Sequence, residues 1–235
     1  MRTKELVRHY IELSVRDTPA EGFASLVAKD SEIMANQEID LLLGKSSAGV
    51  HAELQPAVAR VEEVNAKDPA SQRLKEILLW NGYSTLAQAS IFLGHFAEAE
   101  TESKHWADAQ KDLGISNDVD RINYAFSQDM LAQALTGLGR LAEARAVIEP
   151  QVTLLRRMTA ASPEDQLRRL DLGGFLLTHA AALDPGARAE RQSELDECEK
   201  VFTSLSPELA ACSDPRDMMR RLKIEQAKLA AGHTP

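Results

Sequence analysis

The stretch "TGLGRLAEAR", residues 136–145, poses the choice on which the fold depends. Gly137, Gly139 and Ala142 have the spacing of a dinucleotide-binding fingerprint, but the same letters also suit the elbow between two helices. A phosphate-binding loop must follow a strand, so that the N-terminus of the next helix meets the pyrophosphate. The preceding segment instead spaces its apolar residues as a helix does, at Ile122, Phe126, Met130 and Leu131. The sequence therefore predicts an elbow.

An internal repeat supports this interpretation. "LAQASIFLGHFAEA" (86–99) and "LAQALTGLGRLAEA" (131–144) agree at nine of fourteen positions when the chain is shifted by 45 residues. Gly139 aligns with Gly94, whereas Gly137 aligns with Phe92, so Gly137 is not part of the repeated unit. Repeats of this length indicate a stack of supersecondary units.

Two further copies are more divergent. The segment 176–189 replaces the elbow glycine with Asp184 and reverses through "DPG", in which Pro fixes φ and Gly supplies backbone freedom. The segment 48–54 keeps Gly49 at the place of Gly94. Four units in register predict an α-solenoid of antiparallel helix hairpins.

Recurring Asp-Pro and Ser-Pro pairs mark where long helices begin. Asp68, Ser162 and Asp214 each precede a proline, and such residues cap the first free N–H groups of a helix. Gly114 is expected to end a helix at its C′ position. The predicted helices are 3–16, 19–43, 51–66, 70–93, 96–113, 120–138, 141–160, 164–182, 187–204 and 215–231.

Composition narrows the functional classes. The 235 residues carry a net charge of −9, which disfavours nucleic-acid binding because that binding depends on many cation–phosphate contacts. No membrane-spanning run occurs, and the N-terminus is too polar for a signal peptide. We expect a cytoplasmic protein, or alternatively the periplasmic part of a larger membrane protein. Whether Met1 is the natural start, and the oligomeric state, stay open.

The sequence contains no recognisable catalytic or metal-binding motif, so we expect no enzyme, metal site or cofactor. Glu98, Glu100 and Glu102 are interpreted as part of a solvated helix face. His95 is expected to be exposed and His179 to be a hydrogen-bonded core residue. Trp80 and Trp106 are expected to pack in the core. Cys198 and Cys212 are interpreted as two separate thiols, with a single disulfide as the alternative.

The repeated helix–elbow–helix resembles the tetratricopeptide repeat. The resemblance is carried by the Leu-Ala pair, the Leu-Gly elbow, the following hydrophobe and the small Ala, with Tyr83 at an early aromatic place. These residues are Leu86, Ala87, Leu93, Gly94, Phe96 and Ala99, then Leu131, Ala132, Leu138, Gly139, Leu141 and Ala144. The resemblance implies a right-handed superhelix, here with units of 45 rather than 34 residues.

The resemblance also implies a division of the chain. N-terminal helices, with a capping role as one interpretation, occupy 1–47, and a C-terminal capping helix occupies 206–235. Between them, the repeats cover 48–205 in four parts: about 48–68, 69–114, 118–160 and 163–205. Long units opened by Asp-Pro are similar to those attached to bacterial signalling proteins such as serine/threonine kinases and regulators.

Such repeats bind proteins or peptides in a groove lined by the first helix of each pair. By position, the resemblance places Asn81, Ser84, Gln88, Phe126, Asp129, Gln133, Asp171, Gly174 and Thr178 in that groove. None of these residues is a cation, so a basic or polar partner segment is expected, with Gln88 and Gln133 bonding its backbone. We therefore expect a non-catalytic scaffold. The alternatives are a regulatory or sensory domain of a larger signalling protein and, third, a helical-repeat phosphatase.

Overall fold

The computed structural model describes residues 46–231, together with Ile33 and Gln37, both of which are helical. The predicted helices 3–16 and 19–43 otherwise lie outside the described residues, as does nearly all of the predicted N-terminal segment. The chain divides into two compact units, Met1–Met130 and Leu131–Pro235.

The described residues form helices joined by short connections, and none of these residues lies in a strand. The fold is all-α, as predicted, and consecutive helices pack in neighbouring antiparallel pairs. The helices are α1 (Ser47–Glu63), α2 (Pro69–Leu93), α3 (Phe96–Leu113), α4 (Asp118–Gly137), α5 (Leu141–Ala161), α6 (Gln166–Ala182), α7 (Arg188–Thr203), α8 (Pro207–Ala210) and α9 (Ser213–Ala230). The right-handed superhelix and the repeat boundaries stay predictions.

The stretch at residues 136–145 is an elbow between α4 and α5. Its backbone geometry is the same as that of the elbow between α2 and α3. Gly94 and Gly139 both have φ = 74°, in the left-handed region. The amide of His95 donates to the carbonyl of Ser90, and that of Arg140 to Leu135, each at 2.9 Å. Each glycine amide also donates three residues back, which completes a Schellman ending. Gly137 is instead the last residue of α4.

In the first unit, α2 packs against both α1 and α3. Its core consists of Leu54, Ala57, Val58, Val61, Leu78, Tyr83, Leu86 and Trp106. Trp80 packs against this core, and its ring meets that of Trp106 edge to face, with centroids 6.3 Å apart. The prediction that both tryptophans are packing residues is confirmed.

In the second unit, α6 packs against α5 and α7, and α9 packs against α6 and α7. Its most buried side chains include Ile148, Phe175, Leu176, Leu195 and Leu222, each 1% exposed or less. Leu222 belongs to α9, so the last helix contributes to this core. A burial of this kind is worth about 1.5–3 kcal/mol per large side chain.

The helix starts were predicted with mixed success. Asp68 caps α2, since its carboxylate accepts from the amide of Ser71 at 2.9 Å. Ser162 does not cap α6, because Asp165 accepts from the amide of Arg168 at 3.1 Å. The helix α9 begins at Ser213, before Asp214, so the Asp-Pro pair lies in its first turn. Several polar residues near a helix start compete for the cap, and the Pro alone does not select among them.

Two of the predicted turns also differ. Gly49 lies in the first turn of α1, which begins four residues earlier than the repeat predicts, so Gly49 is not an elbow glycine. The third copy keeps register as far as the end of α6, but α7 begins two residues late because its turn is longer. Gly186 has no positive φ in this turn. Its backbone freedom is therefore not what reverses the chain.

Candidate functional site

The predicted groove residues of α2 share one narrow stripe, because positions 81, 84 and 88 follow helical spacing. Asn81 and Ser84 are half-buried, and between Leu78 and Ile91 only Gln88 is exposed. The Ser84 hydroxyl donates to the carbonyl of Asn81 at 2.8 Å, which fixes it against its own helix. The side-chain amides of Asn81 and Gln88 make no hydrogen bond to any described residue. They can therefore bond a ligand.

The predicted residues of α4 are less accessible. Phe126 is half-buried and packs against the core of the first unit. Asp129 is only 6% exposed. Gln133 is half-buried and belongs to the second unit, since the division between the units falls after Met130. Of these three, Asp129 has too little surface for a direct contact with a partner.

The predicted residues of α6 lie on the side of that helix that faces α9. A β-carbon at Gly174 would lie 3.3 Å from Cε of Met218 in α9. Thr178, one turn further along, is 1% exposed and donates to the carbonyl of Gly174 at 3.4 Å. The last helix covers this face, so Thr178 offers no surface to a partner.

Asp171 differs from Thr178, the other predicted side chain of α6, because it is partly accessible and has a raised pKa. It is half-buried, and burial raises its pKa to about 6, although the positive charge of Arg168 acts in the opposite direction. Near neutral pH this carboxylate is ionised in a half-buried position, which lowers the free energy of unfolding. Such residues occur more often at functional sites than elsewhere, although structural networks also produce them.

A polar cluster that the sequence does not predict lies between α1 and α3. Nε2 of His51 lies 3.3 Å from Oε1 of Glu102 and 3.6 Å from Oε2 of Glu98. Glu102 is 8% exposed, so the prediction that it lies on a solvated face is wrong, whereas Glu98 is exposed as expected. Burial raises the pKa of Glu102, and the nearby Ser90 hydroxyl and His51 oppose this shift. The i, i+4 spacing shows which face the two acids share, but not that α1 covers part of it.

A second polar network links three helices of the second unit. His179 in α6 is 4% exposed, as predicted for a core residue, and its Nδ1 lies 3.3 Å from Oε2 of Glu194 in α7. Arg156 in α5 donates to Glu194 at 2.8 Å and to Glu197 at 2.6 Å. Burial disfavours the charged form of Glu194, but the hydrogen bond from Arg156 and the adjacent His179 outweigh it and lower its pKa. His179 and Glu194 are buried between the helices, whereas the side chains of Arg156 and Glu197 reach the surface.

Cys198 is buried, Cys212 is exposed, and both are free thiols. Burial raises the pKa of Cys198 to about 12, which keeps it unreactive. Within residues 46–231, with Ile33 and Gln37, no group of three or more His, Cys, Asp or Glu residues is arranged to hold a metal ion. No helix of that part of the chain is long and apolar enough to cross a membrane.

A surface groove of about 610 Å³ was also missed. It lies between the end of α7, the short α8 and α9, and Phe202 and Ala210 form one side of it. The four residues of α8 are too few to show a helical period, so the predicted helices 187–204 and 215–231 leave them in a connection. Ser206, whose hydroxyl accepts from the amide of Leu209, and Pro207 were the available signals.

One family model matches the chain, that of the tetratricopeptide repeat, over residues 125–150. The match covers the second half of α4, the Gly139 elbow and the first half of α5, which is the hairpin whose geometry recurs 45 residues earlier. The chain therefore carries a tetratricopeptide-like hairpin within an all-helical array. No curated protein and no solved structure matches it.

A tetratricopeptide-like repeat implies protein partners in general, and such repeats are usually non-catalytic. Among the predicted groove residues, Gln88 is exposed. The half-buried ones are Asn81, Ser84, Phe126, Gln133 and Asp171. Their role in binding stays a prediction.

Proposed function

We propose that this protein is a non-catalytic module that binds a protein or peptide partner through the α2 stripe, defined as Asn81, Ser84 and Gln88. The observation that supports this most is the exposure pattern of α2. Neighbouring helices cover most of α2 from Leu78 to Ile91, but leave Gln88 open with an amide that bonds no described residue. An amide both donates and accepts, so it suits the backbone of an extended partner segment.

The partner segment is polar or basic. Asn81, Ser84 and Gln88 carry no charge, and the side chains assigned to the groove from the other helices are neutral or acidic. A partner with apolar anchors would need a hydrophobic pocket, which this stripe does not provide.

Affinity capture from native lysate by the intact chain tests the proposal. We expect Gln88→Ala to reduce capture of the specific partner by about threefold to tenfold, the loss expected for one hydrogen bond. Gln55→Ala is the matched control, because Gln55 is an exposed glutamine of α1 in the same unit. Equal capture by wild type, control and Gln88→Ala would contradict a role for this amide.

A second candidate is a regulatory or sensory domain of a larger signalling protein. It is supported by the length of the units and by the Asp68 cap of α2, which realises the Asp-Pro opening found in repeats attached to such proteins. The gene context decides between a free-standing module and such a domain. Hydrolysis of a phosphopeptide by the wild type but not by Asp171→Asn would instead favour the phosphatase.

A further inference from the structure

The groove beside α9 combines positively charged and apolar side chains. The α9 residues that line it recur at the spacing of one helix face: Arg216, Met219, Arg220, Lys223, Ile224 and Ala227. Ile224 is 48% exposed, although it is a large apolar side chain. The groove therefore has a hydrophobic surface that is open to solvent. The side chains of Arg216, Arg220 and Lys223 lie along it.

The cations of this groove lack acidic partners. Neither Arg220 nor Lys223 forms an ion pair or hydrogen bond with any described residue, and Arg216 donates only to the carbonyl of Cys212, at 3.2 Å. Elsewhere in the same unit, Arg156 and Lys228 both pair with glutamates. No acidic side chain occurs among the described lining residues. In a chain with net charge −9, this is a local positive surface that charge complementarity can use.

We propose that this groove binds an amphipathic helix of a partner protein, in which acidic residues flank an apolar stripe. The apolar stripe packs on Met219 and Ile224, and the acidic residues meet Arg220 and Lys223. A helix fits because the floor is a long stripe along α9 and not an enclosed cavity, and helices dock into such grooves through i, i+3, i+4 and i+7 anchors. A symmetric pair of copies would place the same cations against one another, which disfavours self-association.

This surface is separate from the α2 stripe, and the partner it predicts is acidic and apolar instead of polar or basic. An experiment that excludes binding at one of the two surfaces leaves the proposal for the other surface unaffected. The two are distinguished by testing α9 variants and the Gln88 variant against the same ligands.

A displayed library of amphipathic helical peptides tests the proposal and does not require the natural partner to be identified first. Peptides of about sixteen residues, four to five helical turns, are selected on the intact chain. We expect the enriched peptides to be acidic and to carry an i, i+3, i+4, i+7 apolar stripe. The charge reversal Arg220→Glu with Lys223→Glu, and separately Ile224→Ser, should each weaken their binding about tenfold or more. Both alter exposed side chains, so the fold is retained.

Arg157→Glu with Lys200→Glu is the matched control. It makes the same change in net charge at exposed positions of the same unit that lie outside the groove, and it should leave the affinity within about twofold. Enrichment of basic peptides, of none, or of peptides that bind wild type and both α9 variants equally would overturn the proposal. So would a dimer that Ile224→Ser dissociates, or binding to vesicles of anionic lipid that exceeds binding to the peptides.

Discussion

Gly94 and Gly139 adopt the same left-handed conformation, with nothing within 4 Å of the position where a β-carbon would stand. Space is therefore not what requires glycine at these two elbows. The requirement is conformational, because a residue with a β-carbon pays about 1–2 kcal/mol in this region. Gly137, only two residues away from Gly139, ends α4 without a positive φ.

We expect Gly139→Ala to lower the free energy of unfolding by about 1–2 kcal/mol, and Gly139→Asn to lower it by less, since asparagine tolerates the left-handed region. Gly137→Ala is the control and should leave stability unchanged or raise it by up to about 1 kcal/mol. Urea denaturation measures all three. Equal losses at both glycines would contradict the elbow and revive the dinucleotide-binding interpretation.

Asp171 makes stability depend on pH. Burial raises its pKa from 3.8 to about 6, so the folded protein holds this proton more tightly than the unfolded chain does. The favourable contribution to folding is therefore present below pH 3.8 and is lost as the pH rises to about 6. We expect Asp171→Asn to stabilise the protein by about 1–3 kcal/mol at pH 7 and to flatten the dependence of Tm on pH across this window. An unchanged pH profile would show that the carboxylate is solvated.

At the scale of the element, the α6–α7 hairpin ends its first helix differently from the α2–α3 and α4–α5 hairpins. In those two hairpins a left-handed glycine ends the first helix, whereas here a buried arginine bonds the carbonyls at its end. Asp184 replaces the elbow glycine, and Arg191, 3% exposed, donates instead to two carbonyls where α6 ends, one in its last turn and one on the residue that follows it. Its Nε lies 2.9 Å from the Ala180 oxygen, and its Nη2 lies 2.7 Å from the Leu183 oxygen. A buried cation here also meets the negative end of the helix dipole.

We expect Arg191→Met to destabilise the protein by about 2–4 kcal/mol, because it leaves two buried carbonyls without a donor. Arg191→Lys should restore little, since one ammonium group does not reproduce the fork of the guanidinium. Arg157→Met, at an exposed position, should stay within about 0.5 kcal/mol of wild type. Chemical denaturation separates these outcomes, and a mild Arg191→Met variant would mean that water reaches the carbonyls.

Two adjacent glycines of α6 test how closely its neighbours approach. A β-carbon at Gly173 would lie 2.5 Å from Cε1 of Phe202, a ring that is 4% exposed, whereas at Gly174 it would meet the flexible end of Met218 at 3.3 Å. We expect Gly173→Ala to destabilise by about 1–3 kcal/mol. Gly174→Ala should be neutral or stabilising by up to about 1 kcal/mol, as helix propensity predicts. Thermal unfolding that ranks the two in the opposite order would contradict the packing of α6 on α7.

At the scale of the whole molecule, the helices that flank the two glycine elbows were predicted to within two residues. The repeat, caps and glycines of these helices are local patterns, and local patterns can be predicted from the sequence. Burial of one helix by another that is distant in the chain cannot be predicted in this way. The burial of Glu102 by α1 and of Thr178 beneath α9 depends on contacts across many residues, so both were assigned incorrectly to exposed surfaces.

The candidate site was accordingly predictable only in part. The stripe of α2 follows from helical spacing, and the structure leaves Gln88 open. The groove beside α9 depends on α8, which is too short to be predicted from periodicity, and on the lack of acidic neighbours around Arg220 and Lys223, which only the packing reveals. Two surfaces of different chemistry therefore emerge, one polar and one apolar with a cationic rim.

Photo-crosslinking from residue 92 tests the central claim most directly. A benzoylphenylalanine replaces Phe92, which is 68% exposed and lies one helical turn beyond Gln88 on α2, so the amide of Gln88 is kept. A second version carries the probe at the exposed Gln55 of α1. After irradiation in native lysate, we predict one specific crosslinked partner from residue 92 and none of that protein from residue 55. The same crosslinks from both positions, or a specific partner from residue 55 alone, would contradict partner binding at the α2 stripe.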